Sequence, residues 1–175
     1  MASAYFYMLF PNDRVPRKVT ERTRRKLRFA DYDDVKGNMS AFVQFMFKDD
    51  AHGEFRFNWS EFVFSWIDRE AAVLKYEDML RDAVGTVAEA ILHVTGQEVD
   101  RNRLAVQVDR FSFEKVANRK PGREDRSSFA RKGIVGDWRN TFSKDACQVF
   151  DRLGGDALIR AGYEANNDWV EEFPE

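Results

Sequence analysis

A chain of 175 residues is long enough for one hydrophobic core and short for two. Its net charge of −2 at pH 7 denies the molecule as a whole the footprint of a nucleic-acid or acidic-membrane binder, so any anion site must be local. A single cysteine, Cys147, excludes an internal disulfide and a multi-cysteine zinc site and fits a reduced, cytoplasmic setting.

In chain order, residues 4–10 read as the end of a buried helix stopped by Pro11. The apolar N-terminus lacks a basic leader, and its run is far below the roughly 20 residues of a membrane span, so neither targeting nor membrane insertion is expected. Residues 14–28 carry eight basic side chains against one acid, Glu21. A solvated loop and helix face accounts for them, with a nucleic-acid patch as the weaker alternative. From Ser40, "SAFVQFMFKDD" predicts a short capped helix, and "DDAHGEFRF", which holds His52, a connection. In "NWSEFVFSWIDRE", Trp59, Phe62, Val63, Trp66 and Ile67 share one helical face, which reads as core rather than as a ligand cage.

"AAVLKY", 71–76, has the short apolar run of a buried strand. Asp82 caps the next helix, Gly96 ends it, and His93 falls opposite Val84, toward water. Asp100 caps a further helix through Leu104 and Val108, and Ser112 opens another at "SFEKVANR". After the loop "KPGREDRSS", a last long helix begins at Ser143, places Cys147 in packing and stops at Gly154. "DALIRAGY" and an acidic tail, 164–175, follow. The expected class is α/β, predominantly helical with few strands.

The stretch "RKGIVGDWRN", 131–140, invites a chemical reading. Arg131 offers a planar fork for bidentate bonds to phosphate, and Lys132 adds a point charge. A glycine directly after them lets the backbone turn its N–H groups toward an anion. Ser127 and Ser128 stand near enough in sequence to add hydroxyl donors.

Phe129, Arg131, Lys132, Gly133, Gly136, Asp137, Trp138, Asn140 and Phe142 fill nine of the fourteen positions of "FxRKGxxGDWxNxF". This signature resembles that of the sulfotransferases that use 3'-phosphoadenylyl sulfate. The resemblance implies that Arg131, Lys132 and Gly133 bind the 3'-phosphate of the nucleotide. "VLKYEDM", 73–79, is similar to the family's strand ending in Tyr-Glu-Asp and places Tyr76 on the adenine. "FSFEKVANR", 111–119, is similar to "TSFExMKxN" and sets Phe113 against the same ring, with Phe111 where the family often has Thr. "ASAYFYM", 2–8, makes Ser3 the match to a phosphate-binding Ser.

The resemblance is strongest over 71–163 and implies a single partial domain, residues 1–175, equivalent to the C-terminal part of a P-loop-like fold. The family's phosphate loop "TYPKSGTTW" and its catalytic His have no counterpart, so no catalytic residue and no metal are assigned. Neither His52 nor His93 has a motif around it, and autonomous catalysis is not expected. Without the missing sheet, the aromatics Tyr5, Phe6, Phe42 and Phe45 should be left uncovered. The implied function is transfer of a sulfuryl group from 3'-phosphoadenylyl sulfate to a hydroxyl or amine, releasing adenosine 3',5'-bisphosphate, with an unidentified small-molecule acceptor. The alternative is a non-catalytic nucleotide-binding or assembly fragment that needs a separate N-terminal half. The family's "KxxxTVxxxE" dimer segment reads Arg139, Ser143, Lys144 and Gln148 here and departs from that pattern.

Overall fold

The computed structural model describes residues 1–12, 14–48, 57–69 and 71–173. His52 and most of the expected connection around it lie outside them. The chain divides into two units, one formed by Met1–Arg69 with Asp137–Glu175, the other by Glu70–Gly136.

In the first unit, α1 (Ala2–Leu9) ends where expected, with Phe10 extended ahead of Pro11. The basic run forms α2 (Arg17–Lys26), and most of its cations are exposed. Arg24 is the exception. Its Nε donates to the Leu9 carbonyl at 2.8 Å, and its guanidinium lies 4.1 Å from the Tyr32 ring centroid, a cation–π contact that fixes α2 on the core. The third helix starts earlier than Ser40: α3 spans Val35–Met46, because the Asp34 carboxylate accepts from the Gly37 amide at 3.0 Å and supplies the cap.

Helix α4 (Trp59–Ile67) is locked by a capping box in which Asn58 and Glu61 each accept from the other's amide, at 3.1 and 2.8 Å. The periodicity predicted the helix correctly but not its burial. Trp66 is 54% exposed and no residue of α4 is buried. Trp59 meets Phe150 at 5.6 Å between ring centroids, and Ser60 reaches the Leu153 carbonyl at 3.3 Å, so one edge of the helix makes the contact.

The last helix, α9 (Lys144–Arg160), runs straight through Gly154. A β-carbon at Gly154 would meet Phe47 Cζ at 2.8 Å and Ser60 Oγ at 3.3 Å. The glycine therefore serves close approach, not termination. Helix α9 lies against α3, α4 and a 3-10 turn at Asn167–Glu172. That turn lies within the stretch expected to be an acidic tail, and it is folded. Trp169, Val170 and Phe173 are buried, and Trp169 Nε1 donates to Asp151 at 2.8 Å.

The same packing overturns the expected exposure of the aromatics. Tyr5, Phe6, Phe42 and Phe45 are all buried, with Tyr5 edge-on to Phe42 at 5.1 Å and its hydroxyl donating to the Tyr32 carbonyl at 3.0 Å. Helices cover them, with no sheet among the described residues. Cys147 is fully buried in this core, and its thiol is pushed up to about 12 by that burial. All four tryptophans, Trp59, Trp66, Trp138 and Trp169, belong to this unit.

The second unit carries α5 (Tyr76–Arg81), α6 (Ala83–Thr95), α7 (Arg101–Arg110) and α8 (Phe113–Ala117). Asp82 accepts from the Gly85 amide at 2.8 Å and Asp100 from Asn102 at 2.9 Å, the caps read from the sequence. Gly96 closes α6 in the left-handed region at φ 69°. The strand expected at 71–76 is absent, and no strand occurs among the described residues. Val73 is 57% exposed, and Tyr76 already opens a helix. An apolar run becomes a strand only with a neighbour to take its ladder bonds, and none flanks this one. The chain is predominantly helical, as expected, and the few strands expected with the helices do not occur among the described residues.

Candidate functional site

Arg131, Lys132 and Gly133 lie on the returning arm of a loop that leaves α8 at Asn118. Asn118 adopts φ 50°, which turns the chain back. Two backbone bonds join the arms: Gly122 N–H donates to the Lys132 carbonyl at 2.8 Å, and Asp125 N–H to the Arg131 carbonyl at 2.9 Å. Arg119 closes the seam with its side chain. Its Nη2 donates to the Arg131 carbonyl at 3.0 Å and also to that of Ala130, while Nε reaches Arg123 at 3.0 Å and Nη1 reaches Ala117 at 3.2 Å. One planar guanidinium with five donors thereby bonds four carbonyls, of which that of Arg131 also accepts from Asp125.

Gly133 has φ 66°, and a β-carbon there would stand 2.4 Å from Cδ2 of Phe113. The Phe113 ring is therefore laid on the glycine's backbone, an approach that any other residue would block. The same ring holds the Arg119 guanidinium at 5.3 Å from its centroid. Phe113 is fixed in turn as the first residue of α8.

The cations are close to this contact and already engaged. Arg131, whose side chain is 9% exposed, is ion-paired with Glu124, which also stands 3.7 Å from Arg126 Nε. Asp125 is held below the usual carboxylate range, chiefly by the Ser127 hydroxyl that donates to it at 2.6 Å, then by the Ser127 amide and by Arg119. Ser127 thus spends its hydroxyl on the turn.

Tyr76 is 50% exposed at the start of α5, and its hydroxyl is raised above its ordinary value by burial and by Glu77. The structure brings Phe113 and Gly133 into contact and sets Arg131 and Lys132 on the same loop. Tyr76 stands on a different element of that unit, and Ser3, exposed in the first turn of α1, belongs to the other unit. His93 is exposed on α6, where it lines a groove of about 450 Å³ with Leu74, Asp78, Asp82 and Glu89. Neither Phe113 nor the cations of the loop contribute to that groove.

The remaining half of the fourteen-residue signature has a separate task in the first unit. Asp137 is buried and accepts from Asn140 at 3.3 Å within a 3-10 turn, Asp137–Asn140. Trp138 meets Phe142 at 5.6 Å, Phe173 at 5.3 Å and Trp169 at 6.1 Å between centroids, with the Arg139 guanidinium 4.9 Å from its ring. This half is an aromatic anchor.

Comparison with known families decides what these residues belong to. The family model described as sulfotransferase domain matches residues 17–162. The chain belongs to the sulfotransferase domain family. Among curated relatives of this sulfotransferase domain chain, sulfotransferase 2A6 of Mus musculus is 28% identical over 115 residues, which is 58% of the chain and 40% of the mouse protein. The 3-alpha-hydroxysteroid sulfotransferase of Cavia porcellus is 29% identical over 119 residues, 61% and 40% of the two chains. The chain is also similar to ATP synthase subunit delta of Bacillus licheniformis, 33% identical over 97 residues, 55% and 50% of the two chains. That likeness covers about half of each protein; membership rests on the domain match over 17–162. The chain spans half or less of the length of these relatives. No solved structure matches it. No helix among the described residues is long and apolar enough to cross a membrane.

Two residues of the sulfotransferase loop were missed in the sequence. Arg119 ends the quoted "FSFEKVANR", where the sequence reading gives it no role. Glu124 sits in "KPGREDRSS" among Lys120, Arg123, Asp125 and Arg126, where no spacing singles it out.

Proposed function

We propose that this chain binds the adenosine 3',5'-bisphosphate part of 3'-phosphoadenylyl sulfate and serves transfer of its sulfuryl group to a hydroxyl or amine acceptor. Arg131, Lys132 and the Gly133 backbone take the 3'-phosphate, and Phe113 and Tyr76 take the adenine. The single observation that carries the reading is the Phe113 ring seated on the left-handed Gly133 directly beside Arg131 and Lys132. It unites an aromatic surface, a bare backbone and two cations, as recognition of a phosphorylated nucleoside requires.

The 3'-phosphate takes no part in bond-making. In the transfer, the bond from sulfur to the 5'-phosphate oxygen breaks, a bond from sulfur to the acceptor oxygen or nitrogen forms, and the acceptor's proton passes to water as adenosine 3',5'-bisphosphate leaves. Holding the remote phosphate orients the nucleotide for in-line displacement, so its binding energy is used for positioning. The proposal extends to the family's P-loop-like α/β fold, with the helices described above in its C-terminal part. Nucleotide binding without turnover is the second reading, favoured because every residue carried over from the signature acts on the nucleotide and none on the acceptor.

Calorimetric melting with increasing adenosine 3',5'-bisphosphate tests the binding. A specific ligand at 100 times its Kd adds about 2.7 kcal/mol of stability, so the melting temperature rises. Arg131→Ala removes charge-assisted bonds of about 1.5–3 kcal/mol and should erase most of the rise. No rise, or the same rise in the variant, refutes the assignment. Sulfuryl transfer by the purified chain to a phenol or amine separates the enzyme from the binding module.

A further inference from the structure

Arg131 already has an anion. Glu124 is paired with its guanidinium, and the pair is set by the loop itself: the bond from Asp125 N–H to the Arg131 carbonyl places the neighbouring Glu124 across from Arg131. Main-chain movement of Arg131 is further restrained by Arg119, which donates to the same carbonyl. The second Glu124 oxygen stands 3.7 Å from Arg126, beyond hydrogen-bond length, so attraction there is through space. Glu124 is 30% exposed against 9% for Arg131, which makes the carboxylate the member with a route to water.

Resting on the nucleotide reading above, we propose that Glu124 is a built-in counter-anion that holds the Arg131 guanidinium until the nucleotide's 3'-phosphate takes its place. A guanidinium so little exposed is costly to leave unpaired, and the carboxylate pairs with its Nη1 until the phosphate arrives. Binding is then an exchange: the carboxylate swings toward solvent and Arg126, and a phosphate with up to two charges replaces one with a single charge. Glu124 lowers the affinity of a ligand that must displace it and raises the demand for a doubly charged group at this point, which makes it a determinant of selectivity.

Isothermal titration of the full chain and of Glu124→Gln with adenosine 3',5'-bisphosphate and with adenosine 5'-phosphate tests the exchange. Removing a competing, partly exposed ion pair should tighten the bisphosphate by about three- to tenfold and leave the 5'-phosphate within twofold. Equal gains for both ligands, or a gain below twofold for the bisphosphate, overturn the inference and leave the nucleotide reading intact. Absence of binding to either form overturns both. A measurement on the unaltered chain guards against a variant that folds poorly: the Glu124 carboxyl carbon resonance should move to its solvated position on adding the bisphosphate. A resonance that stays in place also overturns the exchange.

Discussion

Gly133→Ala puts the loop to the hardest test, because two independent penalties fall on one atom. A left-handed backbone costs a residue with a β-carbon about 1–2 kcal/mol. That β-carbon would also stand 2.4–2.6 Å from three atoms of the Phe113 ring, and forcing an extra carbon into a packed contact costs about 1–3 kcal/mol. The sum, about 2–5 kcal/mol, is comparable with what holds the arms together: two backbone bonds and two from Arg119 to the returning arm, each contributing about 1 kcal/mol. The loop should therefore open. Amide hydrogen exchange reads this directly, since the Gly122 and Asp125 amides are the donors across the seam. Their protection should fall by at least about 30-fold, with the first unit unaffected. Adding Phe113→Ala removes the clash but not the backbone penalty, so the double variant should recover part of the protection. Unchanged protection in Gly133→Ala, or no recovery in the double variant, would refute the seating of the ring on the glycine.

Two further expectations concern the first unit. The buried Cys147 thiol ordinarily titrates at 9.0 and is pushed up to about 12. Its neutral form is favoured in the folded state, so the contribution is whole below pH 9 and is lost at about 1.4 kcal/mol per pH unit between 9 and 12. Chemical denaturation across that range should show this slope, and Cys147→Ala should flatten it. Trp169→Phe keeps an aromatic ring, smaller than the indole, but removes the donor to Asp151, which Asn167 still contacts at 3.0 Å. Loss of a bond to a charged acceptor should destabilise the unit by about 1.5–3 kcal/mol in urea denaturation.

What the sequence disclosed was mostly local. Asp82, Asp100 and Gly96 mark helix ends because a cap acts within four residues, and the structure holds all three in place. Ser40 misled because Asp34, six residues earlier, caps the same helix. Gly154 misled because glycine serves two ends, left-handed termination and close packing, and only the positions of Phe47 and Ser60 tell which. The "AAVLKY" run has the composition of a strand, but a strand is a property of a pair. Burial of Tyr5 and Phe42 depends on partners distant in sequence, and so does the folding of the last residues around Trp169. In the candidate site, the resemblance set Phe113 at the adenine and Gly133 at the phosphate, and the contact between the two residues came from the structure alone. Arg119 and Glu124 were invisible because their partners are carbonyls and a guanidinium assembled by a turn, with no spacing rule to announce them.

Because Trp59, Trp66, Trp138 and Trp169 all fall within Met1–Arg69 and Asp137–Glu175, indole fluorescence reports on that unit alone. Melting of the loop bearing Arg131 would pass unseen at an emission detector tuned to tryptophan. Tyr76 is the single tyrosine between residues 70 and 136, and a tryptophan introduced there would give the unit Glu70–Gly136 an optical signal of its own.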